Sequence, residues 1–245
     1  MNKFSFVIPC YNYESFIVKN IKKLKKELKF LKIIYEIILI DDGSIDNTFK
    51  KLQFIKKKNR FIKIIKNKKN KGKSFSVIKG IKKSKYNNVV MIDCDLPYFQ
   101  SIKKIVFYLK KNNHLVIVNR KLKESKLINK NLNIYQIIRY FIGLIIAQIN
   151  LRFLKIKIFG GDTQAGLKGF KKIKNFNKIK FISKKFFFDL ELITLYSEKK
   201  LNILSIKTNY EIPKTSSIKI FNLKKNSEIF IEWTKILLFY KKKLT

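Results

Sequence analysis

Hydrophobic positions in the first half of the chain follow two alternating periods. Short β-branched runs, Phe4–Ile8, Tyr35–Ile40, Phe61–Ile65 and Val89–Ile92, predict buried strands. Between them apolar residues recur at helical spacing, as at Ile17, Ile21, Leu24 and Leu28. Strand and helix alternating through short connections predict βαβ units, and hence an α/β fold with a mostly parallel central sheet flanked by helices. Ser101 is placed to cap a further helix that buries Ile102, Ile105, Val106 and Leu109 and leads to a fifth strand, Leu115–Val118.

The second half is less regular. A helical stretch runs from about Leu132 to Phe153, another from about Lys185 to Glu198, and an alternating strand spans Leu201–Tyr210. From Asn226 to Lys243 an amphipathic C-terminal helix carries Phe230, Trp233, Leu237 and Tyr240 on one side. The longest charge-free stretch, Tyr140–Leu151, has twelve residues, short of the ~20 that cross a bilayer. The expectation is a chain that lies on a membrane rather than spans one. The first strand begins without a signal-peptide pattern ahead of it.

Composition sharpens this picture. A chain of 245 residues suits one domain. Its 56 basic against 16 acidic residues give a net charge of +40, a balance that ordinarily points to nucleic acid or anionic membrane. Nearly all the basic residues are Lys, spread along the whole chain, which argues against a nucleic-acid stripe. Arg occurs only at 60, 120, 139 and 152, and where it persists its planar fork has a use that Lys cannot copy. Cys10 and Cys94 form no CxxC pattern, so neither a disulfide framework nor a zinc site follows and a reducing cytoplasm fits.

Open parallel sheets gather ligands beyond the carboxyl ends of their strands, and that is where the unusual residues fall. Pro9-Cys10-Tyr11-Asn12 follows the first strand, Asp41-Asp42-Gly43-Ser44 the second, Asp93-Cys94-Asp95 the fourth and Asn119-Arg120 the fifth. Strand alternation points Asp93 and Asp95 one way and Cys94 the other; two hard oxygen ligands suit Mg²⁺ or Mn²⁺. Gly43 permits a tight turn and Ser44 or Asp46 can cap the next helix, leaving Asp42 free to accept from a base or ribose. Lys71-Gly72-Lys73-Ser74 lacks the upstream glycine of a P-loop, since position 67 is Asn. A basic glycine turn opening a helix can still steer a diphosphate. His114 stands at the start of a strand, where a structural role is expected.

Taken in order, Pro9-x-Tyr11-Asn12, Asp41-Asp42-Gly43-Ser44-x-Asp46-x-Thr48, Asn70-x-Gly72-Lys73 and Asp93-x-Asp95 resemble the family 2 glycosyltransferases of the GT-A (Rossmann-like) fold. Asp162-Thr163-Gln164-Ala165-Gly166-Leu167-Lys168-x-Phe170 and Phe188-Asp189-x-Glu191-Leu192 are similar to the dolichyl- and undecaprenyl-phosphate glucosyl- and mannosyltransferases. The resemblance implies an inverting hexosyltransferase with a UDP- or GDP-sugar donor and a polyprenyl-phosphate acceptor. It implies that Asp95 and Asp93 hold the metal, and that Asp42, Pro9, Tyr11, Glu14, Lys73 and Cys94 meet the nucleotide-sugar. Arg120 would contact phosphate, Asp162 and Gln164 would form the acceptor side, and Arg139 would lie near the acceptor phosphate. Residues 1–120 would form the donor half of a single domain, 121–215 the acceptor half, and 216–245 a tail able to reach a membrane surface. The enzyme would work from the cytoplasm at the inner face of the membrane, alone or with a membrane-embedded partner protein. The chain departs from the pattern at Tyr13, where Glu is usual, and at Pro97, Ser74 and Leu167.

A lipid phosphate is already ionised and needs no general base, which agrees with a chain holding a single His. The rival expectation is the same fold acting on a saccharide hydroxyl, which would recruit Asp162 or Asp189 as base.

Overall fold

The computed structural model describes residues 2–128, 131–211 and 223–244, with the side chains of 139, 223–226 and 244 left out. Its frame is a seven-stranded sheet in the order β3-β2-β1-β4-β7-β5-β8. These strands are β1 (Lys3–Cys10), β2 (Ile34–Asp41), β3 (Ile62–Lys66), β4 (Asn88–Ile92), β5 (Leu115–Val118), β7 (Leu167–Lys171) and β8 (Ile203–Ile206). A separate two-stranded ribbon joins β6 (Lys126–Leu127) to β9 (Asn209–Tyr210). All five strands expected in the first half are present, each within two residues of its expected bounds.

The sheet is parallel except for β7, which runs antiparallel to both β4 and β5. No apolar run announces β7, because its second residue is Lys168. That lysine is fully buried and its charge is matched by Asp189, 21 residues away in sequence. Similarly, the strand expected over Leu201–Tyr210 divides at Lys207-Thr208 into β8 in the main sheet and β9 in the ribbon.

Helices cover both faces. On one, α1 (Ile17–Phe30), α2 (Thr48–Lys57) and α4 (Ile102–Lys110) bury the residues that periodicity assigns to their inner sides, Ile17, Ile21, Leu24 and Leu28 among them. On the other, α3 (Lys73–Lys82), α6 (Phe188–Glu198) and α7 (Leu223–Leu244) join a second core. Ser101 does not cap α4; its hydroxyl shares a hydrogen bond with Thr208 Oγ1 at 3.0 Å. Nor does α6 begin at Lys185, since residues 184–187 form a loop that closes over α3.

The tail helix α7 docks on the domain. Trp233, Ile236, Leu237 and Tyr240 are buried in the second core, while Phe230 and Phe239 stay exposed. The remaining helix, α5 (Ile134–Leu154), is 21 residues long and opens with a capping box between Asn133 and Gln136. Its mean hydropathy of 1.6 and its length make it apolar and long enough to cross a bilayer. The helix is thus longer than the charge-free stretch, because Arg139 and Arg152 bound that stretch without ending the helix.

Candidate active site

The carboxyl ends of β1, β2, β4 and β5 bring the expected residues to one edge of the sheet. Asp93 leaves β4 half-buried and Asp95 is exposed beside it, while Cys94 turns into the core next to Cys10. The Cys94 side chain is therefore no contact for a donor; its carbonyl accepts from Asn20 Nδ2 at 2.9 Å. Asp93 N donates to Gly166 O at 2.9 Å. The Asp93 carboxylate lies so close to the Gly166 backbone that a Cβ on residue 166 would stand 1.9 Å from Asp93 Oδ2. Close packing of protein atoms and the charge of Asp93 push the Asp95 pKa up, against the pull of Lys73.

Lys73 is the first residue of α3, and its Nζ lies 2.6 Å from Asp93 Oδ1. Burial would lower its pKa, but the charges of Asp93, Asp189 and Asp95 hold it above the usual lysine value. What seats this lysine is Asp42. The Asp42 carboxylate accepts from Asn67 Nδ2 (2.8 Å), Lys71 N (3.0 Å) and Gly72 N (2.9 Å). It is 3% exposed, so it is not free for a base or ribose; it fastens the turn that presents Lys73. Gly72 is required in that turn. Its φ is +100°, and a Cβ there would meet Lys184 O at 2.6 Å.

The N-terminus of α3 is also closed. Ser74 N and Phe75 N donate to the carbonyls of Lys185 and Lys184, both at 2.9 Å. The helix end is thus no phosphate cradle, and the Lys73 ammonium at its start is turned to Asp93. The covering loop is held in turn by two buried acids. Glu191 Oε1 accepts from Ile182 N (2.9 Å) and its Oε2 from Ser183 N (2.6 Å), while Glu232 of α7 accepts from Lys184 N and, at 2.9 Å, from Lys185 N.

Around β1, Tyr11 is 40% exposed and Pro9 partly exposed, open to a flat ligand. Glu14 is otherwise engaged, its Oε2 accepting from Asn47 N at 2.6 Å ahead of α2. Asp46 accepts from Thr48 N at 2.9 Å and thereby caps α2, whereas the Ser44 hydroxyl accepts from Asn12 N. Tyr13 packs beside the acidic pair, where burial and then the charge of Asp95 push its phenol pKa up.

At the end of β5, Arg120 grips Asp162 with two prongs, Nε to Oδ2 at 2.9 Å and Nη2 to Oδ1 at 2.6 Å. Arg120 N adds a third bond to Oδ2 at 2.6 Å. Burial would raise the Asp162 pKa, yet the Arg120 charge and these bonds keep it below the usual carboxylate value. Asp189 is likewise paired, with Lys168 at 2.5 Å. Gln164 is exposed at the same edge. Arg139 lies on α5, its side chain outside the described ones. His114 precedes β5, at the opposite edge of the sheet from the acidic pair. Among the described residues no cluster of three or more His, Cys, Asp or Glu side chains forms. Sequence reasoning missed the placing roles of Asn67, Gly166 and Lys168, because the partner of each lies far along the chain.

This arrangement of edge carboxylates, basic turn and antiparallel insertion agrees with the family model for glycosyl transferase family 2, which matches residues 5–172. The chain belongs to that family. It is a glycosyltransferase with the GT-A fold. A dolichyl-phosphate β-glucosyltransferase from Dictyostelium discoideum is 30% identical to it over 213 residues, 81% of this chain and 63% of that protein. A dolichol-phosphate mannosyltransferase from Pyrococcus furiosus is 32% identical over 128 residues, 52% of this chain and 36% of that protein. A poly-β-1,6-N-acetyl-D-glucosamine synthase from Staphylococcus aureus is 37% identical over 94 residues, covering 37% of this chain and 21% of the synthase. The glycosyltransferase therefore spans between about a fifth and two thirds of the length of these relatives. Glucosyl-3-phosphoglycerate synthase from Mycobacterium tuberculosis, solved with uridine diphosphate, superposes with a TM-score of 0.65 at 15% identity over 98% of this chain and 80% of its own. At that identity the likeness speaks to the fold alone.

Proposed function

We propose that this glycosyltransferase moves a hexose from a UDP- or GDP-sugar to a polyprenyl phosphate at a membrane surface. The observation that carries the acceptor class is the pairing of the two carboxylates best placed to act as a base. Asp162 is bound by Arg120 and Asp189 by Lys168, each pair at 2.6 Å or less. A hydroxyl acceptor needs such a base; an ionised phosphate needs positioning and charge screening. The dolichyl-phosphate transferases among its relatives support the same acceptor.

On the donor side, Asp93 and Asp95 form an oxygen pair of the kind that holds Mg²⁺ or Mn²⁺ together with substrate phosphates. Asp93 and Asp95 would hold such a cation, whose chemistry there would be to offset charge on the departing nucleoside diphosphate. Pro9 and Tyr11 flank the base, Lys73 faces the diphosphate, and Arg120, Arg139 and Gln164 lie on the acceptor side.

The membrane face is α5. Ile134, Ile137, Ile138, Phe141, Ile142 and Ile145 form an exposed apolar stripe one helical turn apart. Its opposite side is tied to the domain through Gln136, Leu154 and Asn150, the last accepting from Trp233 Nε1 at 2.7 Å. A helix fastened along one polar-bonded side suits the interface rather than a span. The enzyme would thus attach peripherally, on the cytoplasmic side where nucleotide-sugars are used.

A matched screen tests this reading. UDP- and GDP-sugars are offered with a short polyprenyl phosphate or with oligosaccharides, in Mn²⁺ or in EDTA. Metal-dependent transfer to the lipid phosphate is expected. Transfer to saccharides alone would establish the hydroxyl-acceptor activity instead.

A further inference from the structure

Asp93 Oδ1 is a buried oxygen, and the Lys73 ammonium at 2.6 Å is its neighbour. The other oxygen of the same carboxylate presses against Gly166. A cation that used Asp93 would have to take the oxygen that Lys73 holds, or sit with its charge against the ammonium. The backbone under Lys73 cannot withdraw. Asp42 fixes the two residues before it, and the carbonyls of Lys184 and Lys185 fix the two after it. Only the flexible side chain is able to move, and it moves toward whatever anion offers it a better place.

We propose that Lys73 is a displaceable counter-ion, which competes with the divalent cation for Asp93 until a nucleoside diphosphate draws its ammonium away. Cation and nucleotide would then bind with strong mutual enhancement, and the acidic pair would hold a cation poorly alone. A diphosphate supplies negative charge for both cations at once, so the lysine changes partner instead of losing one. Because coupling between two ligands is reciprocal, the cation must raise nucleotide affinity by the same factor. The inference rests on the donor reading above and adds an order to it.

The test measures Mn²⁺ binding by electron paramagnetic resonance, with and without UDP or GDP, on the wild type, Lys73→Gln and Lys73→Arg. Circular dichroism follows folding. The wild type is expected to gain at least tenfold in Mn²⁺ affinity when the preferred nucleotide is present. Lys73→Gln is expected to bind Mn²⁺ alone at least tenfold more tightly than the wild type, and its enhancement by nucleotide should shrink by the same factor, leaving only the direct attraction between cation and diphosphate. Lys73→Arg, which keeps the charge, should behave as the wild type. Equal or weaker Mn²⁺ binding by folded Lys73→Gln overturns the competition while leaving the donor reading intact. Should Lys73→Gln not fold, Lys73→Arg and the wild type decide, since nucleotide-independent Mn²⁺ affinity in both overturns the proposal. No Mn²⁺ bound by any form with either nucleotide overturns the donor reading, and the proposal with it.

Discussion

Gly166 and Asp93 share one van der Waals space, since a Cβ on residue 166 would lie 1.9 Å from Asp93 Oδ2. The strand end that carries the acidic pair is shaped by the strand that follows much later in the chain. Gly166→Ala should therefore displace the carboxylate rather than unfold the domain. A shift of about 1 Å in a positioned group can cost about 100-fold in rate. Turnover should fall by that order, with the far-ultraviolet circular dichroism spectrum unchanged. Wild-type turnover in the variant would show that the carboxylate has room elsewhere.

The Arg120–Asp162 pair sets a prediction in pH. The folded pKa of Asp162 is depressed, so its stabilisation is fully present above the unfolded value of about 3.9 and lost as pH falls through the lower folded value. Asp162→Asn leaves Arg120 without its counter-charge and should cost about 3 kcal/mol at neutral pH. Below about pH 4 the gap between wild type and variant should narrow. Thermal unfolding from pH 7 to pH 2 measures both. Arg120→Lys keeps the charge but not the two-pronged geometry, and should lose at least tenfold in turnover.

Glu232 lies on the last helix, far in sequence from every carboxylate of the site, yet it fixes the loop that closes α3. Glu232→Ala should free those amides, at about 1–3 kcal/mol of stability. It should also weaken nucleotide binding, because Lys73 opens α3. Calorimetry with UDP or GDP on the folded variant checks this; unchanged affinity would confine Glu232 to a packing role.

Exposure of α5 predicts vesicle binding. Phe141 and Ile145 are 58% and 62% exposed, and neither joins the core. The double variant Phe141→Glu, Ile145→Glu should fold normally and release the protein from anionic vesicles in a flotation assay. Removing α7 instead would expose the core that Trp233 and Tyr240 fill, so a tail truncation should unfold before it reports on membranes.

Much of the frame was legible because its signal is local. Val89–Ile92 and Leu115–Val118 are continuous apolar runs, and a continuous run between turns has few alternatives. Lys168 hid β7, since a buried charge is legible only with its partner, and Asp189 lies on another element. The same distance misled the reading of Asp42. Its position at a strand end was correct, but its donors come from residues 67–72 and no pattern near position 42 reveals them. For α7, periodicity gave the apolar side and could not tell a core from a bilayer, which are equally apolar.

The antiparallel β7 also bears on how this chain can be cut and made. It pairs with β4 on one side and β5 on the other, and β8, the other partner of β5, follows later still, so a fragment ending before Leu167 would leave the β4 edge bare and β5 with no partner strand. Such edges recruit strands from other molecules. The first 120 residues hold the acidic pair and the basic turn, yet expressed by themselves they should come out in inclusion bodies. A growing polypeptide on the ribosome meets the same hazard, and its exposed β4 is the segment that a holding chaperone would have to shield.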